Sequence, residues 1–295
     1  MKITRELLDR IIKEPEKFQV LEQNPYEVLY DNDELPKVFR EDLVNDKYNK
    51  RLVILDTETT GFNYTTDDII ELAFVVVTFN FQHNVLVSID DYFDEFCEPN
   101  KEITKHITEI TGITPAMVAG KTITIDDVKP HLPEKFLMVA HNAEFDRKFV
   151  DKKFPDLKNL PWADSLTEID WGAKGFTKHS LEALMYKMDM FYTAHRAIND
   201  VLALLYVIVA TNSILEMSLS ASKMSVDVEL GVDFAHKDLV KSCGFKWFGE
   251  HKTWKRNYRK MNDWTDDKQT LIEKGAKLDI VEIKLVSARE RYTAK

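Results

Sequence analysis

The chain has 295 residues, of which 44% are apolar, 11% aromatic and 31% charged, enough for a packed core in one large domain or two smaller ones. No stretch approaches the roughly 18 to 20 apolar residues of a membrane span, and two cysteines far apart, Cys97 and Cys243, make no disulfide framework, so the composition excludes a membrane-embedded chain and a disulfide scaffold and points to the cytoplasm. The net charge of −10 is unevenly spread. Lys and Arg against Asp and Glu number 9 against 12 in residues 1–50, 16 against 29 in residues 51–233 and 15 against 9 in residues 234–295, which gives −3, −13 and +6. An acidic middle suits divalent cations, and a basic tail suits a polyanion.

Residues 1–49 read as an N-terminal extension. An amphipathic helix is expected over about 3–13, with acids from Glu6 onward instead of the apolar core of a signal peptide. A polar, irregular stretch with Asn24-Pro25 and Asp31-Asn32-Asp33 follows. Near residue 51 the texture changes: Leu52-Val53-Ile54-Leu55, residues 69–77 and residues 85–89 are apolar runs of strand length, and residues 91–96 alternate weakly. Short helices are expected over 101–118 around Thr111-Gly112, a buried strand over 136–140 and a helix from Ala143. Helices are expected again at 180–187 and 194–210. Strands followed by strand–helix alternation predict an α/β domain over 50–215, a mixed sheet flanked by helices. Residues 218–295 read as a small basic α+β module of order βαββαβ, with strands near 224–230, 245–247, 253–255 and 278–286 and helices near 237–243 and 265–275. Its removal is expected to leave a folded first domain.

Three short motifs carry the chemistry. Asp56-Thr57-Glu58 ends the first apolar run, and in a strand alternate residues share a face, so both carboxylates leave on one side. Hard oxygen ligands this close suit Mg²⁺ or Mn²⁺. The extension to Thr59-Thr60-Gly61 adds small residues that let backbone N–H groups approach a ligand. In the second motif, residues 141–146, Asn142 is a plausible N-cap and Asp146 lies one helical turn on. In the third, His195 precedes Asp200, an acid at the start of a strongly apolar helix and in need of a partner. Each motif alone also fits a solvated turn or helix-start acid.

Together, Asp56-x-Glu58, Asn142-x-x-x-Asp146 and His195-x-x-x-x-Asp200 resemble the three motifs of the DEDDh family of 3′–5′ exonucleases, over about residues 50–212. The segment Ile110-Thr111-Gly112-Ile113-Thr114 is similar to the family's stretch after its third strand. The resemblance implies an RNase-H-like fold and two divalent ions held by Asp56, Glu58, Asp146 and Asp200, with His195 as general base. It also places Phe62 as the apolar wedge against the 3′-terminal base, with core packing as its alternative role. Thr57, Thr59 and Asn142 fall where they would meet the substrate's end. The expected activity is hydrolysis of DNA, single-stranded by preference, to nucleoside monophosphates. RNA is the alternative substrate of the same chemistry, and a non-catalytic scaffold for a protein partner is the alternative from another class.

In the tail, Lys246-Trp247 and Lys252-Thr253-Trp254-Lys255-Arg256 interleave cations with aromatics, which suits a single strand. Trp247 and Trp254 also suit a cross-strand packing pair. His236, Cys243 and His251 lack zinc-site spacing and read as structural.

Overall fold

A computed structural model describes residues 21–258 and 261–293, together with Arg10 and Lys13. The helix expected near 3–13 lies outside the described residues apart from those two. The strands are β1 Glu22–Gln23, β2 Lys37–Val38, β3 Asn49–Thr59, β4 Ile69–Asn80, β5 Val85–Phe96, β6 Leu137–Ala140, β7 Trp162–Asp164, β8 Met190–Phe191, β9 Ser225–Val232, β10 Lys246–Phe248, β11 Thr253–Tyr258 and β12 Leu278–Val286. Six of the helices are labelled here: α1 Pro25–Asp31, α2 Ala143–Lys153, α3 Ala197–Ala210, α4 Ile214–Ser222, α5 Lys237–Ser242 and α6 Met261–Glu273.

The main sheet has the order β2-β5-β4-β3-β6-β7. β2, β5, β4 and β3 are joined antiparallel, and β3, β6 and β7 parallel. Two apolar clusters cover its faces, which is why every residue of β4 is buried and the strand is written as one apolar run. The alternation along β3 divides the clusters. Leu52 and Ile54 join α3 on one face, while Val53 and Leu55 join Phe149 and Val150 of α2 on the other. The fold is a mixed α/β sheet flanked by helices. Gly112 ends the helix Lys105–Thr111 in the left-handed region at φ 71°, a conformation that only glycine takes without cost. Among the described residues no single helix is long and apolar enough to cross a membrane.

The stretch expected to be irregular before residue 50 is ordered and packed. Asn24 accepts the Tyr26 N–H, and Pro25 sits in the first turn, so Asn24-Pro25 starts α1 instead of breaking the chain. β1 pairs with β8, and β2 adds an edge strand to the main sheet. Tyr26 of α1 stacks edge-on with Tyr206 of α3.

The C-terminal sheet has the order β10-β11-β9-β12, antiparallel throughout. Val226, Val228 and Leu230 bury one face with Val240 of α5 and Trp264 and Leu271 of α6. The chain then returns to the main sheet. Trp162 of β7 donates its backbone N–H to Ala288 O at 3.0 Å. The guanidinium of Arg147, fully buried, donates to the carbonyls of Lys158, Ala288, Arg289 and Arg291 and pairs with Asp151. Arg291, 2% exposed, pairs with Glu168 and donates to Ser225 Oγ, and the Tyr292 hydroxyl donates to Glu168 at 2.6 Å.

This return bears on the expectation that the tail can be removed cleanly, because three of the carbonyls that satisfy Arg147 belong to it. Uncovering one partner of a buried charge costs about 3–5 kcal/mol. A chain ending at residue 286 is expected to lose stability of that order in urea unfolding, and an unchanged midpoint would show that the return is dispensable.

Candidate active site

The alternation that divides the core also distributes the acids. Asp56 and Glu58 continue the row of Leu52 and Ile54 beyond the core, towards the face that α3 covers. Asp200 lies in the first turn of α3. One carboxylate oxygen from each of Asp56, Glu58 and Asp200 lies within 4.8 Å of the other two. Thr57 continues the opposite row, towards α2, where its N–H and hydroxyl both donate to Asp146 Oδ1 at 3.1 and 2.9 Å. Asp146 is 2% exposed and is not one of that group of three, but its charge is the largest of those acting on Asp56.

Asn142 does not cap α2 through its side chain. It is left-handed at φ 87°, a region asparagine enters more readily than most residues. Its backbone N–H instead donates to Asp164 Oδ1 at 2.9 Å, and Asp164 at the end of β7 also binds Leu166 and Thr167. The helix carrying Asp146 is therefore positioned by the neighbouring parallel strand.

His195 lies on an exposed segment, itself left-handed at φ 64°. Its N–H donates to Asp200 Oδ2 at 2.9 Å, and the Tyr192 hydroxyl donates to Asp200 Oδ1 at 2.9 Å. The segment is held from two further sides. Glu71, fully buried opposite Glu58 in the β3–β4 register, takes both Arg196 Nε and Nη2 on one oxygen and the Ala197 N–H on the other. It thus does at the start of α3 what an N-cap residue does elsewhere. Glu27 of α1, 2% exposed, accepts the Thr193 N–H at 3.2 Å. Glu71, Arg196, Tyr192 and Glu27 were not among the expected site residues. Glu71 carried the one readable signal, a lone acid inside the apolar run 69–77, which needs a buried partner.

The acids titrate high. Burial, then the charges of Asp146, Asp200, Glu58 and Glu71, pushes Asp56 well above the usual aspartate range. Burial and the charges of Asp200, Glu71 and Asp146 raise Glu58 to about 8. Asp146 rises to about 7 through burial, against its Thr57 bonds, and Asp200 to about 6 through burial, against the Tyr192 bond and the charge of His195. Arg196, whose charge lowers Glu58, is itself engaged by Glu71.

The remaining expected residues sit as follows. Thr59 is buried, and its hydroxyl donates to Gly61 O at 2.7 Å. Gly61 owes its size to Asp67: a Cβ there would lie 2.5 Å from Asp67 Oδ2, so the glycine serves an internal carboxylate that also takes Asn63 N–H and Lys101. Phe62 is 88% exposed, which removes core packing as its role, and its ring meets Phe145 edge-on at 6.2 Å. Trp247 and Trp254 face each other across β10 and β11 with ring centroids 5.3 Å apart. Trp254 packs on the module's core, while Trp247 is 53% exposed. His236 and His251 bond Asp233 and Glu229.

Residues 53–208 match the RNase_T exonuclease family model. A DNA polymerase III PolC-type of Clostridium perfringens is 33% identical over 191 residues, 62% of this chain and 12% of that protein. One of Thermotoga petrophila is 32% identical over 159 residues, 52% of this chain and 11% of that protein. The chain thus spans about a tenth of the length of these curated relatives. Among solved structures, the nuclease domain of 3′hExo, a DEDDh family member bound to rAMP, is 20% identical with a TM-score of 0.45, covering 58% of this chain and 96% of its own. An exonuclease X in complex with 5′ overhanging duplex DNA is 28% identical with a TM-score of 0.42, covering 54% of this chain and 90% of its own. With the family's domain spanning all five motif residues, the chain belongs to the RNase_T exonuclease family.

Proposed function

We propose that the chain removes nucleotides from the 3′ end of DNA, single-stranded DNA first, and releases nucleoside monophosphates. The observation that carries this reading is the group of Asp56, Glu58 and Asp200, with oxygens within 4.8 Å and no cation of the protein's own between them among the described residues. The DNA polymerase III relatives favour DNA over RNA. The cations and half-exposed Trp247 of the C-terminal module favour a single strand, where charge follows phosphates and rings meet bases.

The donor set fits a divalent cation. Three carboxylates converge, their pKa values are raised by burial and, at Asp56 and Glu58, also by the charges of neighbouring acids, and the hydrogen-bond partners of Asp200 are a hydroxyl and an amide. Asp56, Glu58 and Asp200 would hold one Mg²⁺ or Mn²⁺, and Asp146 would contribute to a second. Two such ions supply positive charge to the phosphate and leaving oxygens and acidify water.

The chain's own residues do the rest. His195 takes the proton of the attacking water on its imidazole, the ordinary work of a histidine near neutral pH. The bond from its N–H to Asp200 fixes the backbone from which that ring hangs. Tyr192 orients Asp200, and Thr57 orients Asp146. The exposed ring of Phe62 offers an apolar face to the terminal base, with Asn142 lining the same groove.

Asp56→Ala, Asp146→Ala and Asp200→Ala are each expected to come close to abolishing release of label from a 3′-labelled single strand in Mg²⁺. Near wild-type release by any of them overturns the assignment. His195→Ala is expected to lower the maximal rate by about 10²- to 10⁴-fold with little change in KM; a loss mainly in KM would make His195 a binding residue.

The titrations set a stability test. Glu58, Asp146 and Asp200 hold their protons to about pH 8, 7 and 6 in the fold, against about 4 when unfolded. Their contribution to stability is therefore complete below about pH 4 and is lost as pH rises through about 6 to 8. Without metal, the melting temperature is expected to fall from about pH 5 to about pH 8, and to fall less in Asp200→Asn. Added Mg²⁺ should raise it more at the upper pH, where the acids are ionised. Equal slopes in the two proteins would show that the cluster is not the cause.

A further inference from the structure

The groove that Phe62 and Asn142 line has a volume of about 420 Å³. Its walls are Phe62, Asn63 and Tyr64, which follow β3, and Asn142, Glu144, Phe145, Lys148 and Phe149 of the α2 segment. These flank Glu58 and Asp146 in sequence. Lys246 of β10, outside residues 53–208, completes the lining.

The charges in this groove are arranged in an unusual order. Glu144 lies between two lysines: Lys148 Nζ is 3.1 Å from Oε1 and Lys246 Nζ 3.2 Å from Oε2. Lys246 is 81% exposed, and Glu144 is half-exposed. An exposed ion pair of this kind contributes little to stability. It joins the C-terminal module to the helix that carries Asp146, and it leaves two ammonium groups beside an aromatic pair whose outer ring, Phe62, is 88% exposed.

We propose that this groove is the path of the single strand upstream of its 3′-terminal nucleotide, with Lys246 and Lys148 binding the strand's phosphates and Glu144 acting as the internal anion that those phosphates replace. The proposal rests on the exonuclease reading and adds to it named phosphate contacts, Lys246 and Lys148, and a competing anion, Glu144. Aromatic faces next to cations are the chemistry that recognises an unpaired strand. A phosphate oxygen makes the same contact to an ammonium as the carboxylate does, so binding exchanges one anion for another while both lysines stay paired. Glu144 then sets affinity from within. It competes with the strand, and its removal frees both lysines.

The test is binding of a fluorescein-labelled oligo(dT) to the full chain in EDTA, read by anisotropy over a salt series, so that hydrolysis plays no part. Lys246→Ala is expected to weaken binding several-fold and to lower the log–log salt slope by about 0.7, the value of one single-strand phosphate contact. Glu144→Gln is expected to bind more tightly than wild type. Unchanged affinity and slope in Lys246→Ala, or weaker binding in Glu144→Gln, overturns the proposal. The exonuclease reading is tested apart from it by wild-type hydrolysis of the p-nitrophenyl ester of thymidine 5′-monophosphate in Mn²⁺. That substrate has no upstream strand, so its hydrolysis beside an unaltered Lys246→Ala binding curve sinks only the groove. An inert wild type would sink the reading, with the binding curves still deciding the groove.

Discussion

Repulsion between carboxylates is the constraint on which this molecule turns. Asp56, Glu58 and Asp200 are brought within 4.8 Å by a strand and a helix that have other reasons to pack, namely the apolar rows they bury on the same face. Glu71 adds a fourth acid directly opposite Glu58 in the sheet. Two charges about 4 Å apart interact by about 4 kcal/mol at the effective dielectric near a protein surface, so the surroundings must hold the acids in place. Glu71 has the Arg196 guanidinium and the start of α3, Asp200 has a hydroxyl and an amide, and Asp146 has Thr57. Asp56 and Glu58, at the strand's end, are where a divalent cation would relieve the repulsion.

The placement of the acids was legible in the sequence to the extent that local periodicity fixed it. A run of apolar residues ending in Asp-Thr-Glu can only send the two acids to one face and the threonine to the other. The motif order supplied Asp146, His195 and Asp200. Strand and helix positions after residue 50 followed from β-branched runs and apolar helices, whereas β7, three residues long, and α4 left no comparable pattern.

What escaped was non-local or depended on a side chain's choice of partner. Asn142 is a residue type that favours the N-cap, yet its backbone is left-handed and its N–H goes to Asp164, twenty-two residues on. Gly61 looked like room for a ligand and is room for Asp67. The residues before β3 looked irregular because short strands and a two-turn helix carry little periodicity. Their order comes from tertiary contacts with α3 and β5, a case of packing overriding weak local preference. The result is a brace behind the His195 segment built from residues outside the family's domain.

The return of residues 287–293 has a consequence for how the protein is made. Arg147 is bonded to a carbonyl 144 residues further along the chain, among the longest loops this fold closes. Synthesis proceeds at about 5–20 residues per second, so after α2 has been made its guanidinium lacks the carbonyls of Ala288, Arg289 and Arg291 for many seconds. Contacts of such separation slow folding. The bonds from Trp162 and Arg147 to residues 288–291 can therefore form only when nearly the whole described chain has emerged.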